Sequence, residues 1–245
     1  VKKKTAIIII VAVVVVAAGI STALILKGLP GIVVGSGNLE TQGYDFADFT
    51  AVEVSSAFQF EITESSTFSV NVTADDNVIS YVRVSREGQT LTISLPRVGG
   101  LRFVTLKASI AMSQLGGLTV SGASRGTVSG FSSTEDLDIT VSGASRVTGD
   151  ITAGDVRFSV SGASTMELEG AANDMVAEVS GASHFNLEDF TVDNADVNIS
   201  GASSGTINLT GRLDANVSGA STLLYIGEPT MGHISVTGAS TLRQK

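Results

Sequence analysis

The run Leu137-Asp138-Ile139-Thr140-Val141-Ser142-Gly143-Ala144-Ser145 alternates apolar and polar residues and then ends in a cluster of small ones. Alternation with period two marks a strand with one buried and one solvated face. The cluster recurs. Ser-Gly-Ala-Ser begins at Ser121, Ser142, Ser161, Ser180, Ser200 and Ser218, and Thr-Gly-Ala-Ser begins at Thr237, at intervals of 21, 19, 19, 20, 18 and 19 residues. Regular self-similarity at this period is the signature of a solenoid, in which each offset within the repeat keeps one environment.

The offsets do keep one environment. One position before the motif stand Val120, Val141, Val160, Val179, Ile199, Val217 and Val236, and three before it stand Leu118, Ile139, Phe158, Ala177, Val197, Ala215 and Ile234. Between those apolar columns lie Thr119, Thr140, Ser159, Glu178, Asn198, Asn216 and Ser235. After the motif the alternation resumes, with Arg125, Arg146, Thr165, His184, Ser204, Thr222 and Thr241 facing out and Gly126, Val147, Met166, Phe185, Gly205, Leu223 and Leu242 facing in. Each motif is therefore expected to be a corner between two strands. Gly122, Gly143, Gly162, Gly181, Gly201, Gly219 and Gly238 would supply the positive φ of the turn, with the small Ala allowing close stacking of corners. The flanking hydroxyls would bond between coils or to local backbone. The expected fold is all-β, a parallel β-helix or β-solenoid with coils of about 19 residues.

Residues 35–115 lack the motif but read as strands, as in Ala51–Ile62, Phe68–Val72 and Gln89–Leu95, separated by turn signals at Glu64-Ser65-Ser66, Ala74-Asp75-Asp76-Asn77 and Arg86-Glu87-Gly88. Periodicity leaves open whether they are further coils or a separate sheet domain. The expected organisation is a basic end at 1–4, an apolar segment at 5–26, a linker at 27–34, an N-terminal β region at 35–115 and the solenoid at 116–245.

The segment Thr5–Leu26 holds 22 residues without a charge, preceded by Lys2, Lys3 and Lys4 and followed by Lys27. As a helix it would reach about 33 Å, enough for a hydrocarbon layer of about 30 Å. It reads as a single-pass transmembrane anchor or as a cleaved signal peptide, whose apolar region is usually shorter. Both readings put the remainder outside the cytoplasm, on the cell surface. From Gly28 onward the formal charge is 11 − 24 = −13, which argues against nucleic acid as a partner. There is no cysteine, so no disulfide framework is available.

Gly35–Asn38 (GSGN), Phe46–Thr63, Val72–Val82 and Gly88–Leu95, followed by the serial SGAS corners, resemble the head GIN domain family, labelled as autotransporter adhesins. The resemblance spans about residues 35–240, although the literal tripeptide Gly-Ile-Asn is absent. It implies an exported all-β solenoid with a binding role and no catalytic residues.

Gly122–Gly126 and Gly201–Gly205 match G-x-S-x-G, but Ser124 and Ser203 share their corner with five other serines, so a structural role is expected rather than a nucleophile elbow. His184 and His233 are the only histidines, too few for a zinc site of protein ligands without carboxylates. The acid groups Asp75-Asp76, Glu135-Asp136-Asp138, Glu188-Asp189 and Asp193/Asp196 lack a calcium-loop pattern and read as turn and surface acids. No cofactor and no metal site is expected. Asn71, Asn198, Asn208 and Asn216 begin N-x-[ST] sequons. After Ser240 only Thr241–Lys245 follows, so an open strand edge is expected there. The expected role is a non-catalytic envelope binding module or adhesin with a carbohydrate or protein ligand. The alternatives are a scaffold that self-associates through its solenoid ends or senses envelope stress, and an enzyme acting on polysaccharide.

Overall fold

The computed structural model describes residues 31–96 and 100–245. The apolar segment 5–26 lies outside the described residues. Among the described residues no helix is long and apolar enough to cross a membrane, and a single 3-10 turn, Ile79–Tyr81, interrupts an otherwise all-β chain.

Two large sheets, of 10 and 11 strands, wrap one core. The strand before each corner joins the first sheet (Gly117–Val120, Leu137–Val141, Val156–Val160, Asp174–Val179, Asn194–Ile199, Arg212–Val217 and Thr230–Val236). The strand after it joins the second (Arg125–Ser132, Arg146–Thr152, Thr165–Ala171, His184–Val192, Ser204–Leu209, Thr222–Ile226 and Thr241–Gln244). Every neighbouring pair is parallel and in register at the corner-proximal positions, Val120 beside Val141 beside Val160 and onward. This β-solenoid follows from the repeat: an identical offset in each coil places Val, Ile, Leu and Phe above one another. Phe158 packs edge-on against both Phe185 and Phe190 with ring centroids 6.0 Å away. Each such fully buried side chain contributes roughly 1.5–3 kcal/mol of transfer free energy.

The sheets also answer what periodicity left open about 35–115. Strand Ala51–Val54 pairs with Gly117–Val120, and Gln59–Glu64 pairs with Arg125–Ser132, so 51–64 is a coil directly below the first motif coil. Beneath it lies a further level made by Thr90–Ser94 and Leu106–Met112. The stretch Ala51–Ile62 is thus two strands about a corner, Ser55-Ser56-Ala57-Phe58, rather than one. No division falls at 115/116, because the two sheets and the core run through it.

At this lower end the stacking changes sense. Ser69–Asp75 and then Leu39–Tyr44 add antiparallel to the second sheet, and Arg83–Glu87 adds antiparallel to the first. A separate two-stranded ribbon pairs Ile32–Val34 with Gly100–Arg102 in parallel. The reading of 27–34 as a linker is corrected here for its last residues: Val33 and Leu101, opposite one another, pack on the core and hold Ile32–Val34 as a strand.

Candidate functional site

The corner sets the register of everything outside it. The motif glycines hold φ between 74° and 80°, a left-handed conformation that side chains adopt only at a cost. From the second corner upward the first Ser or Thr, the Ala and the residue after the motif donate backbone N–H bonds to the coil below, as in Ser161 N to Val141 O at 2.9 Å, Ala163 N to Gly143 O at 2.8 Å and Thr165 N to Ser145 O at 2.9 Å; at the first corner Ser121 N and Arg125 N donate to Val54 O and Phe58 O. The Ala side chains are exposed, and from Gly143 upward each motif glycine lies against the carbonyl of the glycine below. The closing Ser is the buried member. Ser183 Oγ donates to Ser180 O at 2.8 Å, and Ser183 N donates to Ser203 Oγ in the next coil at 3.3 Å, so the hydroxyls serve both the local and the intercoil role. Ser145 and Ser221 are equally buried, yet their hydroxyls have no partner among the described residues.

Ser124 and Ser203 belong to this buried column, 0% and 2% exposed, and Ser124 Oγ is spent on Ser121 O at 2.9 Å. Neither can meet a substrate. His184 is exposed on the second sheet with Nδ1 2.9 Å from Ser204 Oγ, its in-register neighbour. His233 stands on the first sheet next to Asp214, which accepts its backbone N–H at 2.6 Å. Arg212 binds the same carboxylate at 2.6 Å and, with that backbone bond, holds Asp214 well below the usual carboxylate range.

The acid groups are dispersed among different tasks. Asp75 is buried and accepts backbone N–H bonds from Thr105 at 2.7 Å and Gly37 at 2.8 Å, which lower its pKa against the opposing effect of burial. Asp76 accepts from Ser36 Oγ at 2.5 Å. Asp138 lies 3.9 Å from Arg157, Glu188 pairs with Lys245, and Asp193 accepts from Thr210 Oγ1 at 3.2 Å. Asp189 and Asp196 line separate shallow depressions. Asp136 belongs to a column the motif alignment passed over, six positions before each corner: Asp136 Oδ1 accepts from Asp155 N, Asp155 Oδ1 from Asp174 N, Asp174 Oδ1 from Asn194 Nδ2, and Asn194 Oδ1 from Arg212 N. These side chains tie each return turn to the next. Their fixed offset from the motif is the signal that would have found them.

What remains outward is polar and continuous. On the first sheet Glu53, Thr119, Thr140, Ser159, Glu178, Asn198, Asn216 and Ser235 pair rung to rung without a gap. On the second, Gln59, Arg125, Arg146, Thr165, His184, Ser204, Thr222 and Thr241 do the same. Successive rungs lie about 4.8 Å apart. Asn198 and Asn216 are exposed on the first ladder and Asn71 is exposed at the cap, whereas Asn208 is half-buried with its amide on Glu188 O at 3.0 Å. Four open surface depressions, of about 320 to 410 Å³, lie across neighbouring rungs of the sheets or, beside Thr50, Gln89 and Asp136, on the turns. Among the described residues no group of three or more His, Asp or Glu is arranged to hold a metal.

A family profile described as "Putative auto-transporter adhesin, head GIN domain" matches residues 48–229. Among solved structures, a "putative adhesin" from Bacteroides fragilis NCTC 9343 is 22% identical with a TM-score of 0.82, over 87% of this chain and 100% of that one. A "putative adhesin" from Parabacteroides merdae ATCC 43184 is 19% identical with a TM-score of 0.68, over 88% and 99%. A "putative lipid binding protein" from Parabacteroides distasonis ATCC 8503 is 19% identical with a TM-score of 0.62, over 87% and 99%. These likenesses concern the fold. No curated protein matches the chain.

Proposed function

The chain belongs to the head GIN domain family, and from that membership and its exposed ladders we propose that it is a non-catalytic adhesin or binding module of the cell envelope. In this reading residues 5–26 anchor it in the membrane as a single span, and the solenoid stands outside the cytoplasm. The observation that carries the binding role is the uninterrupted pair of outward ladders. Hydroxyl, amide and charged groups repeat rung by rung on the outer face of each sheet, which suits an extended polar ligand better than a small substrate, whose sites are concave. On the second ladder Arg146 is paired with Glu167 and His184 with Ser204, whereas Asn198 and Asn216 on the first are exposed to solvent and available to a ligand.

Full-length chain in phosphatidylcholine vesicles, mixed with envelope polysaccharide or with envelope protein extract, should retain a saturable component from one of them. Loss of that component on replacing Asn198 and Asn216 together with alanine would assign it to the first ladder. Shortened polysaccharide would favour the enzyme instead. No retained component, with vesicles that cluster through the protein, would favour the self-associating scaffold.

A further inference from the structure

Outward positions along the solenoid are polar almost throughout, and the exceptions are not scattered evenly. Of the large hydrophobic side chains that are exposed, Val176 lies mid-sheet and Met231 and Val236 on the last strand of the first sheet, but Ile32, Val34, Leu39, Tyr81 and Phe103 all belong to the antiparallel-capped end. Phe103 is 89% exposed, Ile32 61%, Leu39 54% and Val34 53%.

The ribbon explains how they are displayed. Val33 and Leu101 occupy its inward face, so Ile32, Val34 and Arg102 occupy the other, and no further strand flanks it among the described residues. Phe103 follows immediately with φ 54°, an uncommon conformation for a bulky residue. That conformation is held in place: Gly35 N donates to Arg102 O at 3.0 Å, and Thr105 N donates to buried Asp75 at 2.7 Å. Gly35 sits so close to the Phe103 carbonyl that a Cβ there would overlap it. The aromatic ring is thus presented by fixed backbone.

Chain connectivity says what it meets. Only Lys27–Gly31 separates the uncharged run ending at Leu26 from Ile32, so the ribbon cannot be more than about 20 Å from the end of that run. We propose that the outward face of the ribbon, with Phe103 and Leu39, docks into the interfacial layer of the phospholipid bilayer that holds the chain's own apolar segment, an inference that rests on the membrane-anchored reading above. Apolar groups rimmed by a cation suit that layer, where Arg102 reaches headgroup phosphate while its stem stays apolar and the phenol of Tyr81 stays wet. Docking would fix the capped end at the membrane and direct the polar ladders away from it.

The chain has no tryptophan, so Phe103→Trp is a unique reporter. Full-length F103W is reconstituted in phosphatidylcholine vesicles with plain or brominated acyl chains, beside Val176→Trp as a mid-rod control. Docking predicts that both variants float with the vesicles and that brominated lipid quenches F103W at least twofold while leaving V176W unchanged. Floating vesicles with F103W unquenched overturn docking and leave the anchor standing. Emission shielded only at high protein density, without lipid quenching, assigns the patch to a second copy and overturns docking as well. Chain that does not float overturns the anchor, and docking falls with it.

Discussion

A Cβ carried by Gly181 would overlap the carbonyl oxygen of Gly162 in the coil below and lie 3.0 Å from its nitrogen. That carbonyl is also the acceptor of Ala182 N at 2.7 Å, so it cannot swing aside without breaking the corner ladder. Gly181 in addition holds φ 80°. Steric overlap and left-handed backbone therefore act together, and Gly181→Ala should destabilise the solenoid by roughly 3 kcal/mol. At Gly122 the nearest atom is Ser56 N at 3.0 Å, with no overlap on a carbonyl, so G122A should cost about half as much. Urea midpoints of the two variants decide it, and equal shifts would mean that backbone conformation alone matters.

The closing serines offer a finer comparison. Ser183 Oγ donates within its corner and Ser203 Oγ accepts Ser183 N, whereas Ser145 Oγ has no partner among the described residues although it is just as buried. Removing a bonded buried hydroxyl leaves its partner unsatisfied, at about 1–3 kcal/mol, while removing an unbonded one relieves a desolvation cost. Ser183→Ala should therefore lower thermal stability, and Ser145→Ala should leave it unchanged or raise it. The reverse order in a thermal melt would show that the Ser145 hydroxyl does find a partner.

Much of this was legible because parallel in-register stacking makes each coil repeat the constraints of the last. Val120 through Val217 declare a core column, and the seven glycines declare a corner. The corner at Ser55–Phe58 was not legible, for a physical reason. At this position Ser56 Oγ donates to the Leu95 carbonyl at 2.9 Å, a bond glycine could not make, and Ser56 itself takes up the positive φ of the turn. The corner is therefore written Ser-Ser-Ala-Phe, which does not match the repeat. The order of levels was equally hidden: Gly117–Val120 skips back past 90–112 to pair with 51–54, and pairing between distant segments leaves no trace in a local period. Among the candidate residues, Ser124 and Ser203 share the buried position that repetition implies for every closing serine. The Asp136, Asp155 and Asp174 column was obscured by Arg212, which ends it, and by the ordinary use of Asp in turns.

Ser56 and Ala57 hold φ 70° and 72°, where a non-glycine residue pays of order 1 kcal/mol. Ala57→Gly removes this strain, offset in part by greater freedom of the unfolded chain. The net effect should be a gain of roughly 0.5 kcal/mol in urea unfolding. A loss would indicate that the Ala57 methyl packs in a way that outweighs its backbone strain.

At the capped end the controlling group is Asp75. Its carboxylate ties Gly37 and Thr105 together, and those backbone bonds, Thr105 foremost, lower its pKa in the folded chain. In the unfolded chain the group titrates at about 3.9. Below that pH the unfolded state binds the proton more readily, so the stability contributed by Asp75 is fully present above about pH 4 and is lost as pH falls through the folded-state value. Asp75→Asn cannot accept both N–H groups and does not titrate. The difference in melting temperature between wild type and D75N should be constant from neutral pH down to about pH 4 and shrink below it. Hydrogen-exchange protection factors at Gly37 and Thr105, taken relative to the intrinsic rate at each pH, should fall over the same acid range in the wild type and be low at every pH in D75N. A melting difference that persists unchanged to pH 2 would locate the stabilisation in packing around Asp75 rather than in its charge.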